Sequence, residues 1–375
     1  MVGFLVIIFL MYLAWYLFLA RGQFAVFQTA KASTPFVSVI VAAHNEENHI
    51  SGLLTSLQKQ TYPAEHFEII IVDDRSTDKT NLILKNWQKK LANLSVYRIE
   101  QSSAHMPAKK FALTQAIQKS RGDILLFTDA DCFPAPTWIS TTVSYFTDDT
   151  GVVIGFSPLK ATGKKLLPRL LEIEGVLNSL VARAGLAWNI PMTATGRNLA
   201  YRKSVFKQVD GFQPIAHSIS GDDDLFLHLV HRRTSFRLQF ANSPKSTVVS
   251  IPPTSWKGFF RQRIRHFSAG KYYNPLSKLI YALFHLSNTV LLLSPIFCIW
   301  NGQVPLILVL LFLKFSMDFF LLSSFQKSFQ YSTSLYLLVL WEYFYLAEVW
   351  IIGILSNFLP VTWKEPQTVT GTNAK

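Results

Sequence analysis

The sequence is poor in cysteine and in charge. Two cysteines, Cys132 and Cys298, stand among 375 residues. They cannot form a disulfide framework, and their spacing fits no metal site, so nothing here requires an oxidising compartment. Charged residues make up 16% of the chain, against about 25% in a typical soluble domain. That shortage argues against a purely soluble enzyme. Disorder is excluded by the 50% hydrophobic content, which is ample to bury a core. No internal repeat and no low-complexity segment is visible. Acidic residues are the scarcer sign: 36 Lys and Arg face 23 Asp and Glu, a net charge of +13. Such an excess suits nucleic acid, anionic lipid or phosphorylated substrates. The basic residues flank apolar segments or cluster with aromatics beside them. No nucleic-acid module is recognisable, so nucleic acid is not expected as a partner.

The apolar residues are concentrated at the two ends. Val2 to Ala20 carries no charge, close to the roughly 20 residues a helix needs to cross a bilayer. A signal peptide would want basic residues before that run and a small-x-small cleavage site after it. The first basic residue, Arg21, follows it, so residues 1–21 read as an uncleaved anchor with the N-terminus outside and the bulk of the chain cytoplasmic. The expected place is the cell (inner) membrane. Near the other end, Leu279–Trp300, Val304–Phe325 and Leu335–Phe358 are each long enough to span. Asn301–Gln303 reads as a tight outer turn and Gln326–Ser334, with Lys327, as an inner loop. The last span then ends outside, against which Lys364 and Lys375 give a weak contrary signal. Lys314 and Asp318, spaced i, i+4, are expected to neutralise each other within a span, where Glu342 and Glu348 also fall.

Between the ends, residues 36–250 read as a cytoplasmic α/β domain. Val37–Ala42, Glu68–Val72, Val96–Ile99 and Ile124–Phe127 look like buried strands. Asn48–Gln58, Lys79–Leu91 and Lys109–Lys119 have helical periodicity. The alternation predicts a mixed, mostly parallel sheet. Residues 251–278 read as an interfacial amphipathic segment, 279–358 as the C-terminal spans and 359–375 as a tail. A second amphipathic stretch, Lys164–Trp188, is expected to lie on the membrane.

Three acidic clusters and one basic cluster carry chemistry. Asp73-Asp74-Arg75-Ser76 follows a strand, where α/β ligands bind, and a carboxylate there can accept from a base edge or ribose hydroxyls. Ser76 or Asp78 could equally cap the next helix. Asp129-Ala130-Asp131 follows another strand, and two carboxylates one residue apart can approach one hard divalent cation such as Mg²⁺ or Mn²⁺. Gly221-Asp222-Asp223-Asp224 sets three carboxylates together, which raises the pKa of at least one and suits a general base. It also suits the N-terminus of a helix over Leu225–Val230. Arg261-Gln262-Arg263-Ile264-Arg265-His266 follows Trp256 and Phe259-Phe260. It can clamp a diphosphate or lie as a basic aromatic helix at the membrane surface.

In this order the motifs resemble family 2 glycosyltransferases, the membrane-embedded inverting enzymes of the GT-A fold that include cellulose, hyaluronan and chitin synthases and ceramide glucosyltransferase. The resemblance covers Val37 to Tyr273. Val37–Glu47 is similar to the opening strand with its N-E-E motif, and Val72–Asp78 to V-D-D-x-S-x-D. Pro107–Leu113 resembles G-K-x-x-A-L with Ala108 in place of glycine, and Asp129–Asp131 the D-x-D. Gly221–Asp223 resembles the segment holding the base, and Gln262–His266 Q-R-x-R-W with His266 in place of tryptophan. The resemblance implies a nucleotide-sugar donor, a UDP-sugar, held by Ala43, Asn45, Glu46, Asp73, Asp74, Lys109 and Asp129. It implies Mg²⁺ or Mn²⁺ on Asp131 and Asp129, with Gln262, Arg263 and Arg265 on the diphosphate. Asp223, with Asp222 beside it, would be the base. Gly196, Arg197, Asn198 and His266 would approach a lipid or glycan acceptor at the membrane. Three C-terminal spans are few for a polymer channel, so a small processive polysaccharide synthase is the second reading. A non-catalytic membrane subunit with a degenerate domain is the third.

Overall fold

The structure, a computed structural model, describes residues 2–30, 33–298 and 304–359. The turn expected at Asn301–Gln303 and the tail with Lys364 and Lys375 lie outside the described residues. In chain order the helices are α1 (Val2–Phe24), α2 (Ile50–Gln58), α3 (Thr80–Gln88), α4 (Ala108–Lys119), α5 (Trp138–Val143), α6 (Leu166–Ala187), α7 (Lys203–Gln208), α8 (Asp224–Arg233), α9 (Trp256–Gly270), α10 (Pro275–Cys298), α11 (Val304–Ser328) and α12 (Leu338–Leu355). The strands are β1 (Val37–Ala43), β2 (Phe67–Asp74), β3 (Leu94–Ile99), β4 (Ile124–Phe127), β5 (Cys132–Pro134), β6 (Thr150–Gly155), β7 (Leu199–Arg202), β8 (Arg237–Ala241) and β9 (Val248–Ser250).

Seven strands form one sheet in the order β3-β2-β1-β4-β7-β6-β8. The first four are mutually parallel. β7 runs antiparallel to both β4 and β6, and β8 is parallel to β6. The central strands are buried on both faces, so they read as continuous β-branched runs rather than alternating ones. Ile69, Ile71 and Val39 face one core with α2 and α5, and Ile40, Ile70 and Leu125 face a second with α4 and α6. β5 and β9 pair separately beside the D-x-D segment.

Four helices are long and apolar enough to cross a membrane: Val2–Phe24, Pro275–Ile296, Val304–Ser328 and Leu335–Leu355. The first of the C-terminal three begins earlier than its apolar run, because Pro275 suits the opening turn of a helix. The stretch expected to lie on the membrane, Lys164–Trp188, instead folds into α6, which is buried along most of its length and packs against α1, α11 and α12. Its apolar spacing is that of a core helix, and the pattern alone cannot tell a lipid-facing stripe from a protein-facing one.

The ionisable groups within the apolar helices are not isolated. Lys314 Nζ lies 2.9 Å from Asp318 Oδ2 and 2.6 Å from Glu342 Oε1. The Tyr12 hydroxyl donates to Asp318. One cation thus answers carboxylates from two helices, and α1 is tied to α11 by a hydroxyl. Removing Lys314, which is fully buried, leaves two carboxylates without their cation, at a cost of roughly 3–5 kcal/mol. Lys314→Met is therefore expected to lower the thermal unfolding midpoint of the detergent-solubilised protein by several degrees. An unchanged midpoint would show that the cluster does not hold these helices.

Candidate active site

The topology brings the motifs together. β7 runs antiparallel to β4, with Phe127 opposite Leu199. Residues leaving the carboxyl end of β4 therefore meet residues entering β7. That places Asp129–Asp131 beside the Gly196–Asn198 turn, at the edge where open α/β sheets bind ligands.

Lys109, from the first turn of α4, joins two of the acidic motifs. Its Nζ is 3.1 Å from Asp129 Oδ1 and 3.0 Å from Asp222 Oδ2. Burial opposes the ammonium charge, yet Asp129 and Asp222 together hold its pKa well above the ordinary lysine value. Asp222 is the mirror case: burial works against the carboxylate, and Lys109 holds it below its usual range.

The three adjacent carboxylates are thus separated by their surroundings. Asp223 caps α8, accepting from the Gly196 N–H at 2.8 Å and the Asp224 N–H at 2.8 Å. Burial and the neighbouring Asp222 raise its pKa, against the pull of Lys109 and those two N–H groups. Asp224 is pushed to about 8 by burial and by Asp223, and its carboxyl meets the Tyr273 hydroxyl. Gly221 makes the turn before them with φ +92°, and a Cβ there would lie 2.4 Å from Leu225 Cγ, so only glycine fits. Gly196 approaches the charged groups closely: an added Cβ would sit 3.4 Å from Lys109 Nζ and 3.5 Å from Asp222 Oδ2.

These groups open on a cavity of about 520 Å³. Lys109, Asp129, Arg197, Asp222 and Asp223 line one end. Gln262, Arg263, Arg265 and His266 of α9 line its wall, and residues of α6, α10 and α12 line the rest. Arg265 donates from Nη2 to His266 Nε2 at 3.2 Å. His266 is exposed to the cavity; desolvation there and then Arg265 lower its pKa, which favours the neutral ring.

Other motif residues sit differently. Asp73 is buried and turned into its own loop, accepting from Ser76 N at 3.2 Å and Asn81 Nδ2 at 2.9 Å. Asp74 is clasped by Arg75, whose Nε lies 2.8 Å away. Asn45 binds that loop through Thr77 N at 2.8 Å, and Glu46 binds His49 at 3.2 Å. Ala43 ends β1 in the core. None of these five lines the cavity. Asn198 is buried; its amide donates to Phe156 O and Ser246 O, and its oxygen accepts from Trp138 Nε1. It fixes the turn and keeps no polar atom for an acceptor. Arg263 reaches the cavity wall, but its guanidinium is engaged by Glu174 and Glu348 rather than directed at Asp129.

Asp131 is raised to about 6 by burial, Asp129 and Glu46. A cation near this pair would relieve that crowding. Among the described residues no group of three or more His, Cys, Asp or Glu is gathered for a metal. Asp129 lines the cavity and Asp131, two residues on, does not; a carboxylate pair of this kind nevertheless suits Mg²⁺ or Mn²⁺, which take their remaining ligands from phosphate and water.

Sequence reading gave no role to several groups that shape the site. Lys110 is fully buried and donates to the carbonyls of Ile215, Ser218 and Ser220, at 2.9, 2.6 and 2.7 Å. It thereby anchors the loop that leads into Gly221, and burial lowers its pKa to about 8. Tyr273 and Glu174 carry no signal in the sequence, whereas Glu348 stands out there as an acid within an apolar helix.

Residues 38–210 match the family model described as Glycosyl transferase family 2. A probable glycosyltransferase of Bacillus subtilis, YdaM, is 27% identical over 273 residues, covering 69% of this chain and 63% of that protein. The glycosyltransferase AglE of Haloferax volcanii is 29% identical over 213 residues, covering 56% of this chain and 66% of that protein. A β-monoglucosyldiacylglycerol synthase of a Nostoc species is 38% identical over 116 residues, covering 31% of this chain and 24% of that protein. The matches therefore span less than two thirds of these relatives. Among solved structures, a mannosyltransferase from Pyrobaculum calidifontis in complex with GDP-mannose and Mn²⁺ superposes with a TM-score of 0.57 at 17% identity, over 88% of this chain and 97% of that one. That likeness shows the fold, a GT-A sheet. Over residues 38–210 the chain carries a family 2 glycosyltransferase domain on this sheet.

Proposed function

We propose that the protein is an inverting, metal-dependent glycosyltransferase that moves a sugar from a UDP-sugar to a lipid-linked or membrane-proximal acceptor, with its catalytic domain on the cytoplasmic side. One observation carries this reading. A single cavity joins the Lys109–Asp129–Asp222 charge cluster and the Asp223 carboxylate to the apolar helices α10 and α12. Donor chemistry and a membrane acceptor can thus meet in one space. The Nostoc relative, named for a diacylglycerol product, is consistent with such an acceptor.

In this reading the Asp73–Asp78 loop holds the uridine. Arg265 and Lys109 offset charge on the departing diphosphate, while Arg263 keeps α9 in place. A divalent cation held by Asp129 and Asp131 would supply further neutralisation of the leaving group. Asp223 takes the proton of the acceptor hydroxyl as its oxygen attacks the anomeric carbon from the face opposite UDP. The C–O bond to UDP breaks as the new glycosidic bond forms, so one displacement inverts the anomer. Asp223 keeps proton affinity from burial and Asp222, and its orientation from the N–H groups of Gly196 and Asp224.

Incubating membranes containing the protein with radiolabelled UDP-sugars tests the reading. A lipid carrying one sugar is expected; long polymer would favour a processive synthase instead. Asp223→Asn is expected to lower kcat by roughly 100-fold or more with an unchanged unfolding midpoint, and retained activity would remove Asp223 from the reaction. Asp223 must be deprotonated to act and its pKa is raised. The acidic limb of kcat/KM should therefore fall above the usual Asp value of about 3.9, with activity rising as pH increases through it. Lys110→Met leaves three carbonyls without a donor and should cut kcat while KM for the UDP-sugar changes little. A loss confined to KM would contradict its anchoring of the catalytic turn.

A further inference from the structure

Lys109, Arg197, Arg263, Arg265 and Lys278 line the cavity. Four of them are engaged. Lys109 is shared by Asp129 and Asp222, and Arg263 by Glu174 and Glu348. Arg265 binds His266, and Lys278 donates to the Lys271 carbonyl at 2.6 Å. Arg197 is the exception. Its Nε donates to Thr195 Oγ1 at 3.1 Å. Among the described residues its two Nη atoms make no hydrogen bond, and its guanidinium forms no ion pair.

The fold sets this guanidinium beside the D-x-D segment. β4 and β7 pair Phe127 with Leu199, and the same register carried past the strand ends brings Arg197 across from Asp129. Gly196, the residue before it, donates its N–H to Asp223 at 2.8 Å. The charge of Arg197 is felt at Asp131 and at His266. Arg197 therefore stands between the D-x-D segment and α9, at the cavity end that Lys109 and Asp129 line. It is half-buried there.

A guanidinium with an unused fork of N–H groups suits phosphoryl oxygens, which it can bind bidentately. The sequence pattern offers Arg263 for that task, but two glutamates hold it. Lys109 is shared by two carboxylates, so most of its charge is answered before a donor enters. A departing diphosphate is better met by cations that no carboxylate holds. We propose that Arg197 is a catalytic residue that binds the donor diphosphate through its Nη groups, together with Arg265, and stabilises the charge left on UDP as the bond to the anomeric carbon breaks. The proposal rests on the transferase reading above and moves Arg197 from the acceptor to the leaving group. The electron pair of the breaking C–O bond stays on the phosphate oxygen, and Arg197 keeps its proton throughout. Thr195 is the positioning residue: it holds Nε and leaves both Nη atoms for the diphosphate.

The test uses the full chain in detergent with MgCl₂. Dissociation constants for UDP and for uridine are measured by titration calorimetry, and UDP release from UDP-sugars gives kcat. Arg197→Ala is expected to weaken UDP about tenfold, equivalent to about 1.4 kcal/mol, and uridine less than about twofold. Its kcat is expected to fall roughly tenfold or more. An unchanged affinity for UDP overturns the proposal, and a rise confined to the acceptor KM would return Arg197 to the acceptor. Equal weakening of UDP and uridine would make Arg197 a structural residue and overturns the proposal as well. These outcomes leave the transferase reading standing. If the unaltered protein neither binds UDP nor releases it from any UDP-sugar, that reading falls and the role of Arg197 falls with it. Should Arg197→Ala fail to fold, Arg197→Gln decides by the same two constants.

Discussion

Lys109 between Asp129 and Asp222 is the interaction on which the site depends. One carboxylate comes from the end of a sheet strand and the other from the turn before α8, far apart in the chain. Without a cation between them they would repel in a poorly solvated space, and the acidic turn could not close on the strand end. The same cation settles the neighbouring charges. Asp222 stays ionised because Lys109 faces it, and its negative charge then raises Asp223. Lys110, one residue on, points the other way and anchors the preceding loop by its carbonyls. Two consecutive lysines therefore hold the two sides of one acidic turn.

A second ionic junction couples this site to the apolar helices. Arg263 on α9 is gripped by Glu174 of α6 and Glu348 of α12. The helix bearing Arg265 and His266 is consequently fixed to both the sheet domain and the last apolar helix. The Lys314 cluster does the same further along α11 and α12. In each case a charge that would be costly among apolar helices is matched, and the match fixes which helices meet.

Much of this was legible in the sequence. The four parallel strands were readable as continuous β-branched runs, since strands covered on both faces need no polar alternation. The four long apolar helices were readable from length and lack of charge. The Lys314–Asp318 pair was readable from i, i+4 spacing, but Glu342 and Tyr12 were not, because tertiary packing brings them in. α6 looked like a membrane-surface helix, since an apolar stripe does not name what covers it. Asn198 looked like an acceptor contact, yet its amide is used up inside the protein. Arg263 and Arg265 looked equivalent in sequence. On a helix, two residues apart, they point to different sides, and one meets Glu174 and Glu348 while the other meets His266.

In the proposed function a sugar leaves UDP in a single displacement with Asp223 as base, in a cavity shared by the sheet domain and the apolar helices. The anomeric configuration of the glycosylated lipid, determined by NMR on product made from an α-linked UDP-sugar, tests that claim most directly. A β-linked product is the predicted result. An α-linked product would require a second displacement or a different mechanism, and would contradict the role given to Asp223.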